Sequence, residues 1–598
     1  MLLPPIIFLP IEILVNTLIQ QFMQQSFCLT FVTERELNIN LPSNMSSMRI
    51  QPNDTNLVQQ ILYASESACS DYIIQMSEPA RFMPAFEQVN QLGDVRRSDK
   101  KLIFLPIEEE HYDSSTLIDI LSLKETSFVA NILLLAAGKS SGDCKSYDII
   151  THTFVGPNDE IFKPLYLDNW DSCTGNFEKG VNLFPHDMSN LYGKTVKVAA
   201  FTYKPYVLLD LDPSLNPLGR DGMEMRVIDE FCRWVNCTVD LVRDDEHEWG
   251  EIYENNTGVG VIGNVLEDRA DIGITALYSW YEEYRVLDFT APIIRTAITC
   301  IAPAARVLTS WDLPLLPFTW LMWLCIIFTF FYASLALFIA QRSADKIFLS
   351  TFGMMITQTR NDKGDSWRIR SITGWMLVTG LIIDNAYGGG LASSFTVPKY
   401  EASIDTVQDL VDRRMEWGAT HDAWIFSIIL SEEPLVKTLL GQFKTYPAET
   451  LKAKSFSRSM AFSIEHLPAG SFAIGEYITE KAARGLEIML DNIYYEQCVV
   501  MTRKSSPYTA KISELVGRLH QSGLLLTWES QVALKYLDYK IQQEVRLSRS
   551  RKDLEEIKPL SAEKLLGIYI FYFIGLAISF LGFIGELLTK FGKPAVVI

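Results

Sequence analysis

The sequence predicts a multi-domain membrane protein, with α/β domains outside the membrane and an α-helical part of three crossings and one re-entrant segment. Three observations predict this architecture. Apolar stretches long enough to cross a bilayer occur at 318–340 and 565–585. Strands alternate with helices in the polar segments before and between these stretches, which is typical of α/β domains. Lysines and arginines lie beside the apolar stretches, and short loops rich in these residues stay cytoplasmic.

The composition excludes several classes of protein. A chain of 598 residues is too long for one domain. Its 53 basic and 72 acidic residues give a net charge of −19, which argues against a nucleic-acid partner, since that needs a basic face. The sequence shows no nucleophile–base pair, and its seven histidines lack metal-ligand spacing. We therefore expect neither an enzyme nor a bound cofactor or metal. The acidic run 244–248 could hold a divalent ion, but a solvated loop is the favoured interpretation.

The first residues are unusual for a targeting segment. Residues 1–24 begin with an apolar run but lack a basic n-region and an obvious small-residue cleavage site. We expect a poor signal segment there, with 11–25 as an alternative first helix of the folded chain. Residues 27–32 predict a buried strand, and an amino-terminal α/β domain is expected over 25–190.

Glycosylation sequons and cysteines both favour an extracellular first half. Eight of the nine cysteines lie outside the apolar stretches, which favours an oxidising compartment with disulfides. Spacing alone leaves their connectivity open, and the candidate pairs are Cys232 with Cys237 and Cys300 with Cys498. Four Asn-x-Ser/Thr sequons precede the first apolar crossing, which predicts that this half is accessible to glycosylation: Asn44, Asn53, Asn236 and Asn255.

Three segments are predicted to cross the membrane, at 318–340, 372–396 and 565–585. A hydrocarbon core about 30 Å thick needs roughly 20 apolar residues in a helix. Residues 346–358 are apolar but too short to cross, so we expect a re-entrant segment, with a cytoplasmic amphipathic helix as the alternative. The basic residues around that segment place it on the cytoplasmic side. Residues 586–598 then form a cytoplasmic tail.

The polar segments on either side of the membrane part are predicted to form one domain that is split in sequence, at 191–305 and 398–556. Residues 196–200 and 239–242 predict strands, and 225–235 predict the helix between them. Strands that alternate with helices imply a parallel sheet.

The residues after Asp384 resemble the gate of ionotropic glutamate receptors. That gate reads Ser-Tyr-Thr-Ala-Asn-Leu-Ala-Ala-Phe-Leu-Thr-Val, and this degenerate version is similar to arthropod ionotropic receptors, chemosensory relatives of the glutamate receptors. The runs Ala-Asp-Ile-Gly-Ile at 270–274 and Val-Leu-Asp-Phe-Thr-Ala-Pro at 286–292 carry the resemblance further. The gate positions kept in register are Tyr387, Leu391, Ala392, Thr396 and Val397.

The resemblance implies an architecture and an assembly. The split domain would be a periplasmic-binding-protein-like clamshell, and the membrane part a pore of three transmembrane helices with 346–358 as its re-entrant loop. The subunit would assemble with co-receptor subunits of the same family in a heterotetramer. It would lie in the cell membrane as a multi-pass protein, in a sensory dendrite or cilium.

The resemblance also implies a ligand cleft, and the chain departs from the family there. The arginine that holds a ligand carboxylate corresponds to Glu283, and the threonine five residues earlier to Tyr278. The acid that holds the ligand amine is expected at Glu476. Since a carboxylate repels a ligand carboxylate, we do not expect α-amino acids; amines, neutral odorants or no small ligand remain open. The expected cleft comprises Tyr203, Tyr206, Tyr278, Glu283, Asp422, Trp424 and Glu476.

The expected gate and filter follow from the same resemblance. Three adjacent glycines cost a helix roughly 1 kcal/mol each relative to alanine, so close backbone approach or a bend is expected there. A carboxylate inside a membrane helix faces a cavity or a partner. Asp384 therefore either lines the pore as part of an acidic ring or forms a hydrogen bond to a neighbouring subunit, with Asn385 or Tyr387 as the partner. Thr357 and Gln358 are expected at the filter, and the pore stripe is Asp384, Gly388, Ala392 and Thr396.

Together these observations predict a stimulus-gated, non-selective cation channel subunit that glutamate does not gate. Its stimulus would be a chemical, a temperature or a humidity. The alternative is a membrane-tethered binding or regulatory subunit that assembles with channel subunits and does not conduct by itself.

Overall fold

The chain, described by a computed structural model, divides into two compact units. The first contains Met1–Pro303 and Asp405–Arg546, and the second contains Ala304–Ile404 and Leu547–Ile598. The structure describes residues 9–52, 56–107, 117–138, 144–214, 216–306, 312–341, 346–359, 366–396, 400–550 and 565–591.

The amino-terminal part of the first unit is an α/β domain built on an eight-stranded sheet. The strand order is β2-β1-β3-β4-β5-β6-β7-β8; the first five strands pair in parallel and the last three join antiparallel. The strands are β1 (Cys28–Thr33), β2 (Ser46–Ile50), β3 (Asp71–Gln75), β4 (Lys101–Phe104), β5 (Asn131–Ala137), β6 (Ser146–His152), β7 (Pro164–Asp171) and β8 (Asn176–Phe177).

Helices cover both faces of this sheet. The helix α1 (Pro10–Phe22) packs in one core with Leu29 of β1, whereas α2 (Leu57–Glu66) and α3 (Phe82–Leu92) share the opposite core with Val32. Side chains of a strand point alternately to its two faces, so a strand covered on both sides reads as a continuous apolar run. The buried strand expected at 27–32 is found one residue later: every residue of β1 is buried, whereas Phe27 before it is exposed. Residues 10–22 form the first helix of this domain.

Lobe 1 is the part of the first unit built on a second sheet, of order β10-β9-β11-β20-β12. The pairs β9–β10 and β9–β11 are parallel, as the alternating pattern predicts, whereas β20 runs antiparallel to β11 and β12. Its strands are β9 (Lys194–Ala200), β10 (Cys237–Arg243), β11 (Ile272–Gly273), β12 (Leu287–Phe289) and β20 (Met501–Arg503). Its helices are α4 (Met223–Val235), α5 (Gly260–Leu266), α6 (Tyr281–Val286), α14 (Tyr508–Ser522) and α15 (Leu524–Tyr536).

Lobe 2 is the remaining part of the first unit, built on a third sheet of order β15-β14-β16-β13-β18, with β17 beside β16 and β19 beside β13. Its strands are β13 (Ile294–Pro303), β14 (Trp417–Ala419), β15 (Phe443–Thr445), β16 (Ala461–His466), β17 (Phe472–Ala473), β18 (Leu486–Ile488) and β19 (Tyr494–Cys498). Its helices are α10 (Val407–Asp412), α11 (Pro434–Gln442), α12 (Ala448–Ser457), α13 (Glu480–Ala483) and α16 (Tyr539–Arg546).

The disulfides confirm one predicted pair and contradict the other. Cys232 is bonded to Cys237, as expected, but Cys300 and Cys498 are buried free thiols. Cys300 pairs with Ser463 across the sheet, whereas Cys498 lies opposite Ile294. The two thiols are thus six positions apart along β13, about 20 Å at the rise of a strand. The predicted bridge between them is wrong. Two disulfides that the sequence did not predict are Cys28–Cys69 and Cys144–Cys173.

The second unit is helical. Two of its helices are long and apolar enough to cross a membrane, Trp320–Gln341 and Leu566–Gly585. The short helix α8 ends at Met355, well short of a membrane crossing. The predicted gate helix is continuous from Trp367 to Thr396, and its glycines and polar residues leave it less apolar than the other two. The helices are α7 (Trp320–Gln341), α8 (Ile347–Met355), α9 (Trp367–Thr396) and α17 (Leu566–Phe591).

Close backbone approach in α9 occurs mainly at a glycine outside the triplet. A β-carbon at Gly380 would lie 2.3 Å from the carbonyl oxygen of Met354, whereas Gly388 and Gly389 have no neighbour within 4 Å. Gly390 is the one glycine of the triplet with a close neighbour, Pro317. The short helix α8 therefore packs on α9 where Gly380 has no side chain.

We expect Gly380→Leu to reduce the amount of assembled protein at the cell surface. The added side chain cannot fit against Met354, and overpacking of this kind costs about 1–3 kcal/mol. The matched control is Gly374→Leu, because Gly374 has no neighbour within 4 Å. Surface biotinylation followed by native electrophoresis measures both variants. Equal surface levels for the two would contradict the packing of α8 on α9.

Candidate functional site

A cleft opens between lobe 1 and lobe 2, with a cavity of about 290 Å³. Lobe 1 contributes the turn that follows β9 and the residues around Trp249, and lobe 2 contributes residues that follow β14 and β17. The cavity combines aromatic walls with three charged side chains. Its lining is Phe201, Thr202, Tyr203, Lys204, Glu248, Trp249, Thr420, Trp424, Ala448, Ile474, Gly475, Glu476 and Tyr477.

A buried carboxylate lies at the floor of the cleft. Glu465 is in β16 of lobe 2 and is 1% exposed. The Tyr203 hydroxyl of lobe 1 donates a hydrogen bond of 2.7 Å to its Oε1, and the Tyr206 hydroxyl donates to its Oε2. Burial raises the pKa of Glu465 to about 7, and the tyrosine bonds act in the opposite direction. Two side chains of lobe 1 therefore close onto one acid of lobe 2.

The turn after β9 holds these two phenols side by side. Tyr203 and Val207 exchange backbone hydrogen bonds of 2.9 and 3.0 Å, so the residues between them form a tight loop. The rings of Tyr203 and Tyr206 stack with centroids 5.6 Å apart and planes 6° apart. Burial raises the pKa of both hydroxyls well above the usual range. Both remain protonated at neutral pH and act as donors to Glu465.

A second buried acid stands behind the first. Glu224 of α4 accepts hydrogen bonds from the backbone nitrogens of Thr275 and Ala276, at 2.7 and 2.9 Å. Its other oxygen has no hydrogen-bond partner among the residues that the structure describes. The pKa of Glu224 is raised to about 7, mainly by burial and to a lesser extent by the nearby charge of Glu465. Two carboxyl groups that titrate near neutral pH thus share the interior beneath the cleft.

Further side-chain contacts cross the cleft. The Thr420 hydroxyl of lobe 2 donates to Glu248 of lobe 1 at 3.1 Å. Lys204 of lobe 1 pairs with Glu476 of lobe 2 at 2.9 Å. The indole of Trp280 donates to the Ser427 hydroxyl at 3.2 Å. The two lobes are closed on each other by groups that belong to the chain itself.

In the membrane unit, a cavity of about 490 Å³ lies among α7, α8 and α9. Aromatic and aliphatic side chains line most of it, and Asp384 and Tyr387 line it on α9. The Tyr387 hydroxyl donates to the carbonyl oxygen of Pro314 at 2.9 Å, and the Asn385 amide donates to that of Leu381 at 2.7 Å. Asp384 is exposed and has no hydrogen-bond partner within the described ranges. Its carboxylate is therefore available to ions or to another subunit.

The short helix α8 ends just before the residues predicted to form the filter. Thr357 has a positive φ of 59° and donates its backbone N–H to Met354, and the backbone N–H of Gln358 donates to Gly353 at 2.8 Å. Both side chains are exposed. The chain thus reverses direction directly after α8 and presents a hydroxyl and an amide, oxygen dipoles without fixed charge, at the tip.

Two regions of the chain match known protein families. Residues 194–306 match the family described as ligated ion channel, L-glutamate- and glycine-binding site. Residues 319–576 match the family described as ligand-gated ion channel. The chain belongs to the ionotropic glutamate receptor family. The first match covers the part of lobe 1 that precedes α7 in sequence, together with β13 of lobe 2. The second runs from α7 through the rest of both lobes into α17.

Individual relatives of the receptor are distant. It is 22% identical to the human glutamate receptor ionotropic, delta-2, over 253 residues, which are 40% of this chain and 25% of the relative. It is 25% identical to human delta-1 over 44% of this chain and 28% of the relative. The probable glutamate receptor of Gallus gallus is 22% identical over 57% of this chain and 72% of the relative. The chain therefore spans about a quarter of the length of the delta receptors it matches.

The residues predicted for the cleft of this receptor fall into three groups. Tyr203, Trp424 and Glu476 line the cavity. Tyr206 and Tyr278 do not line it but lie at Glu465 beneath it. The last two predicted residues are absent from the lining: Asp422 is exposed at the start of a short helix, and Glu283 is buried in α6, where burial raises its pKa to about 7.

Three acids and a tryptophan were missed by the sequence analysis. Glu465 is the last of five consecutive buried residues in β16, 461–465, and a carboxylate there is costly unless it has partners. A glutamate that follows directly on a largely apolar strand pattern was the feature of the sequence that could have indicated a partnered buried acid. For Glu248, the prediction of a solvated acidic loop was incomplete, because this residue faces the cavity while its neighbour Glu246 is exposed. The missed residues are Glu224, Glu248, Trp249 and Glu465.

Three of the four asparagines in the predicted glycosylation sequons are exposed to solvent. Asn44 and Asn255 are exposed, and Asn236 is exposed at a left-handed position after α4. The Asn236 amide donates to Asn190 at 3.1 Å. Asn53 lies outside the described residues. Glycosylation at these positions stays a prediction.

We expect acid to stabilise the closed cleft. The pKa of Glu465 is about 7 in the folded protein against about 4.3 in an unfolded chain, so the folded form binds the proton more tightly. This stabilisation is fully present below the unfolded pKa and is lost as the pH rises through about 7. The melting temperature of the purified full-length receptor should therefore fall between pH 5 and pH 8, by roughly 5 °C or more.

Substitution of Glu465 tests whether this carboxyl group causes the pH dependence of the melting temperature. Glu465→Gln should flatten the pH dependence, because the amide keeps an acceptor for tyrosine but does not titrate. Glu476→Gln is the matched control, since the Glu476 side chain is 80% exposed. An unchanged slope in Glu465→Gln would show that the buried acid does not set the response.

Proposed function

We propose that the chain is a subunit of a stimulus-gated, non-selective cation channel of the arthropod ionotropic receptor type. It would work in the cell membrane of sensory dendrites or cilia, in a heterotetramer with co-receptor subunits. The stimulus would be a chemical ligand, a temperature or a humidity. The observation that carries this proposal is the match to the ligand-gated ion channel family over residues 319–576, which includes the re-entrant helix and its uncharged tip at Gln358.

The closed cleft supports a receptor in which lobe movement is the signal. Binding proteins of the clamshell type close by a hinge motion around their ligands. In this chain Tyr203, Tyr206 and Glu465 already bridge the lobes. A stimulus acts on such a receptor to the extent that it favours the closed or the open form.

The charges of the cleft support a receptor that glutamate does not gate. The cation that lines the described cavity is Lys204, and it is paired with Glu476 at 2.9 Å. A ligand carboxylate would have to displace that partner and would meet Glu248 as well. Glu283, at the position of the family's arginine, provides no cation. Glutamate and glycine are therefore expected to open no current.

The second candidate function is a regulatory subunit that assembles with channel subunits and does not conduct. The absence of fixed charge at the tip of α8 is compatible with either role. What separates them is whether the side chain of Gln358 faces permeating ions.

Recording from cells that express the chain alone and with a family co-receptor tests the proposal. A chemical panel, cooling steps and drying steps are applied to each combination. We expect Gln358→Lys to reduce cation current through the co-assembled channel strongly, because a fixed positive charge at the filter repels cations. Gln408→Lys adds the same charge at an exposed position of α10 and is the matched control. If Gln358→Lys assembles at the surface and leaves unitary current unchanged, the subunit is regulatory.

A further inference from the structure

The cavity in the cleft has aromatic walls set at steep angles around one tryptophan. The ring of Trp249 meets that of Phe201 at 83° with centroids 5.0 Å apart, and that of Tyr203 at 72° and 5.2 Å. Trp424 of lobe 2 meets it at 77° and 6.4 Å. Rings that meet edge to face pack on one another in a fixed arrangement and form an apolar wall, against which the hydrocarbon part of a ligand can pack.

The aromatic walls are held in place before any ligand arrives. The Trp249 indole nitrogen donates to the carbonyl oxygen of Thr275 at 2.9 Å, and Trp249 is only 4% exposed. The Tyr203 hydroxyl is fixed by its 2.7 Å bond to Glu465. A site with fixed walls loses little conformational entropy on binding, and this favours affinity.

Of the charged side chains that line the cavity, one acid, Glu248, is not neutralised by a cation among the described residues. Lys204 and Glu476 neutralise each other across the cleft. Glu465 lies beneath the floor and is covered by two tyrosines. Glu248 remains as the acid that lines the cavity without a cationic partner among the described residues, and it accepts a hydrogen bond from the Thr420 hydroxyl at 3.1 Å. Half-burial raises the pKa of Glu248, and a bound cation would lower it again.

We infer that the cleft binds a small organic cation, with its charged nitrogen at Glu248 and its hydrocarbon part against Trp249, Tyr203 and Trp424. This inference rests on the proposed function, because it names the ligand class of the same cleft. The volume of about 290 Å³ is at the small end of ligand sites, so a monoamine with one aromatic or short aliphatic group is the class that fits. The anchoring acid is then Glu248, not the Glu476 expected from the resemblance.

A matched pair of probes tests the inference without any mutation. Tyramine carries an ammonium group, and tyrosol has the same ring and chain length with a neutral hydroxyl. We expect tyramine to bind the purified full-length receptor in detergent at least tenfold more tightly than tyrosol, measured by calorimetry and by quenching of tryptophan fluorescence. L-Glutamate should not compete. Equal affinity for the two probes, or no binding of either, would overturn the inference.

Substitution of two glutamates in the same loop then tests which residue binds the charged nitrogen. Glu248→Gln should remove the preference for tyramine over tyrosol, whereas Glu246→Gln should keep it, because Glu246 is exposed and does not line the cavity. A preference that survives in Glu248→Gln would overturn the assignment. Binding is measured here without recording any current. A receptor that does not bind tyramine would therefore contradict this inference but not the proposal that the chain is a channel subunit. The recordings described above judge the channel proposal separately.

Discussion

Replacing Arg503 by alanine is expected to destabilise the first unit strongly. Arg503 is in β20, and its side chain is 13% exposed. Its guanidinium pairs with Glu87 of α3 at 2.5 Å and with Asp268 at 2.9 Å, and its centre lies 3.4 Å from the Phe128 ring. Removing it leaves two poorly solvated carboxylates without that partner. The cost of breaking such a buried pair is about 3–5 kcal/mol.

The melting temperature of the full-length receptor in detergent measures this effect. Arg233→Ala is the matched control, because the Arg233 side chain is 74% exposed and pairs with Glu230 on the same helix. Exposed pairs of that kind contribute about 0.2–1 kcal/mol, so the control should melt close to the parent protein. Comparable losses in the two variants would mean that the junction between the amino-terminal domain and lobe 1 contributes little.

Asp384→Asn is expected to lower conductance at low ionic strength and to reduce calcium permeability. If each subunit of the proposed tetramer contributes this carboxylate, the ring would raise the local cation concentration, and salt would screen the effect. The substitution keeps the shape of the side chain and removes its charge. Asp384 is exposed and lines the cavity among α7, α8 and α9, so no described contact of the folded subunit is lost.

The competing explanation makes a different prediction. If Asp384 bonds to a neighbouring subunit, Asp384→Asn should disturb assembly or gating and leave the conductance of each open channel unchanged. Asn385 and Tyr387 already donate to backbone oxygens of the same chain, which makes them poor partners for it. Unitary currents of the co-expressed channel at two salt concentrations separate the two outcomes.

The helices and strands that could be predicted depend on local patterns. The apolar lengths of α7 and α17 are properties of contiguous residues, so composition is enough to find them. The strand β9 and the helix α4 follow from periodicity and lie within two residues of the predicted bounds. The short helix α8 lies within the predicted apolar segment 346–358 for the same reason, and its re-entrant placement stays a prediction.

The site could be predicted only in part, because it depends on register between distant segments. Glu465 meets Tyr203 because lobe 2 places β16 opposite a turn that lies 262 positions earlier in the chain. The sequence of 472–476 suggested Glu476 instead, which the structure pairs with Lys204 near the surface. The bridge proposed for Cys300 and Cys498 failed for a related reason, since β13 separates the two positions along its length.

The uneven distribution of cross-links has a mechanical consequence. All three described disulfides lie in the amino-terminal domain and lobe 1, and Arg96 and Arg503 tie those two parts together. Lobe 2 has no disulfide among its described residues. Within the first unit, we therefore expect lobe 2 to be the part that moves when the cleft opens, while the cross-linked amino-terminal domain and lobe 1 stay together as one stiff base.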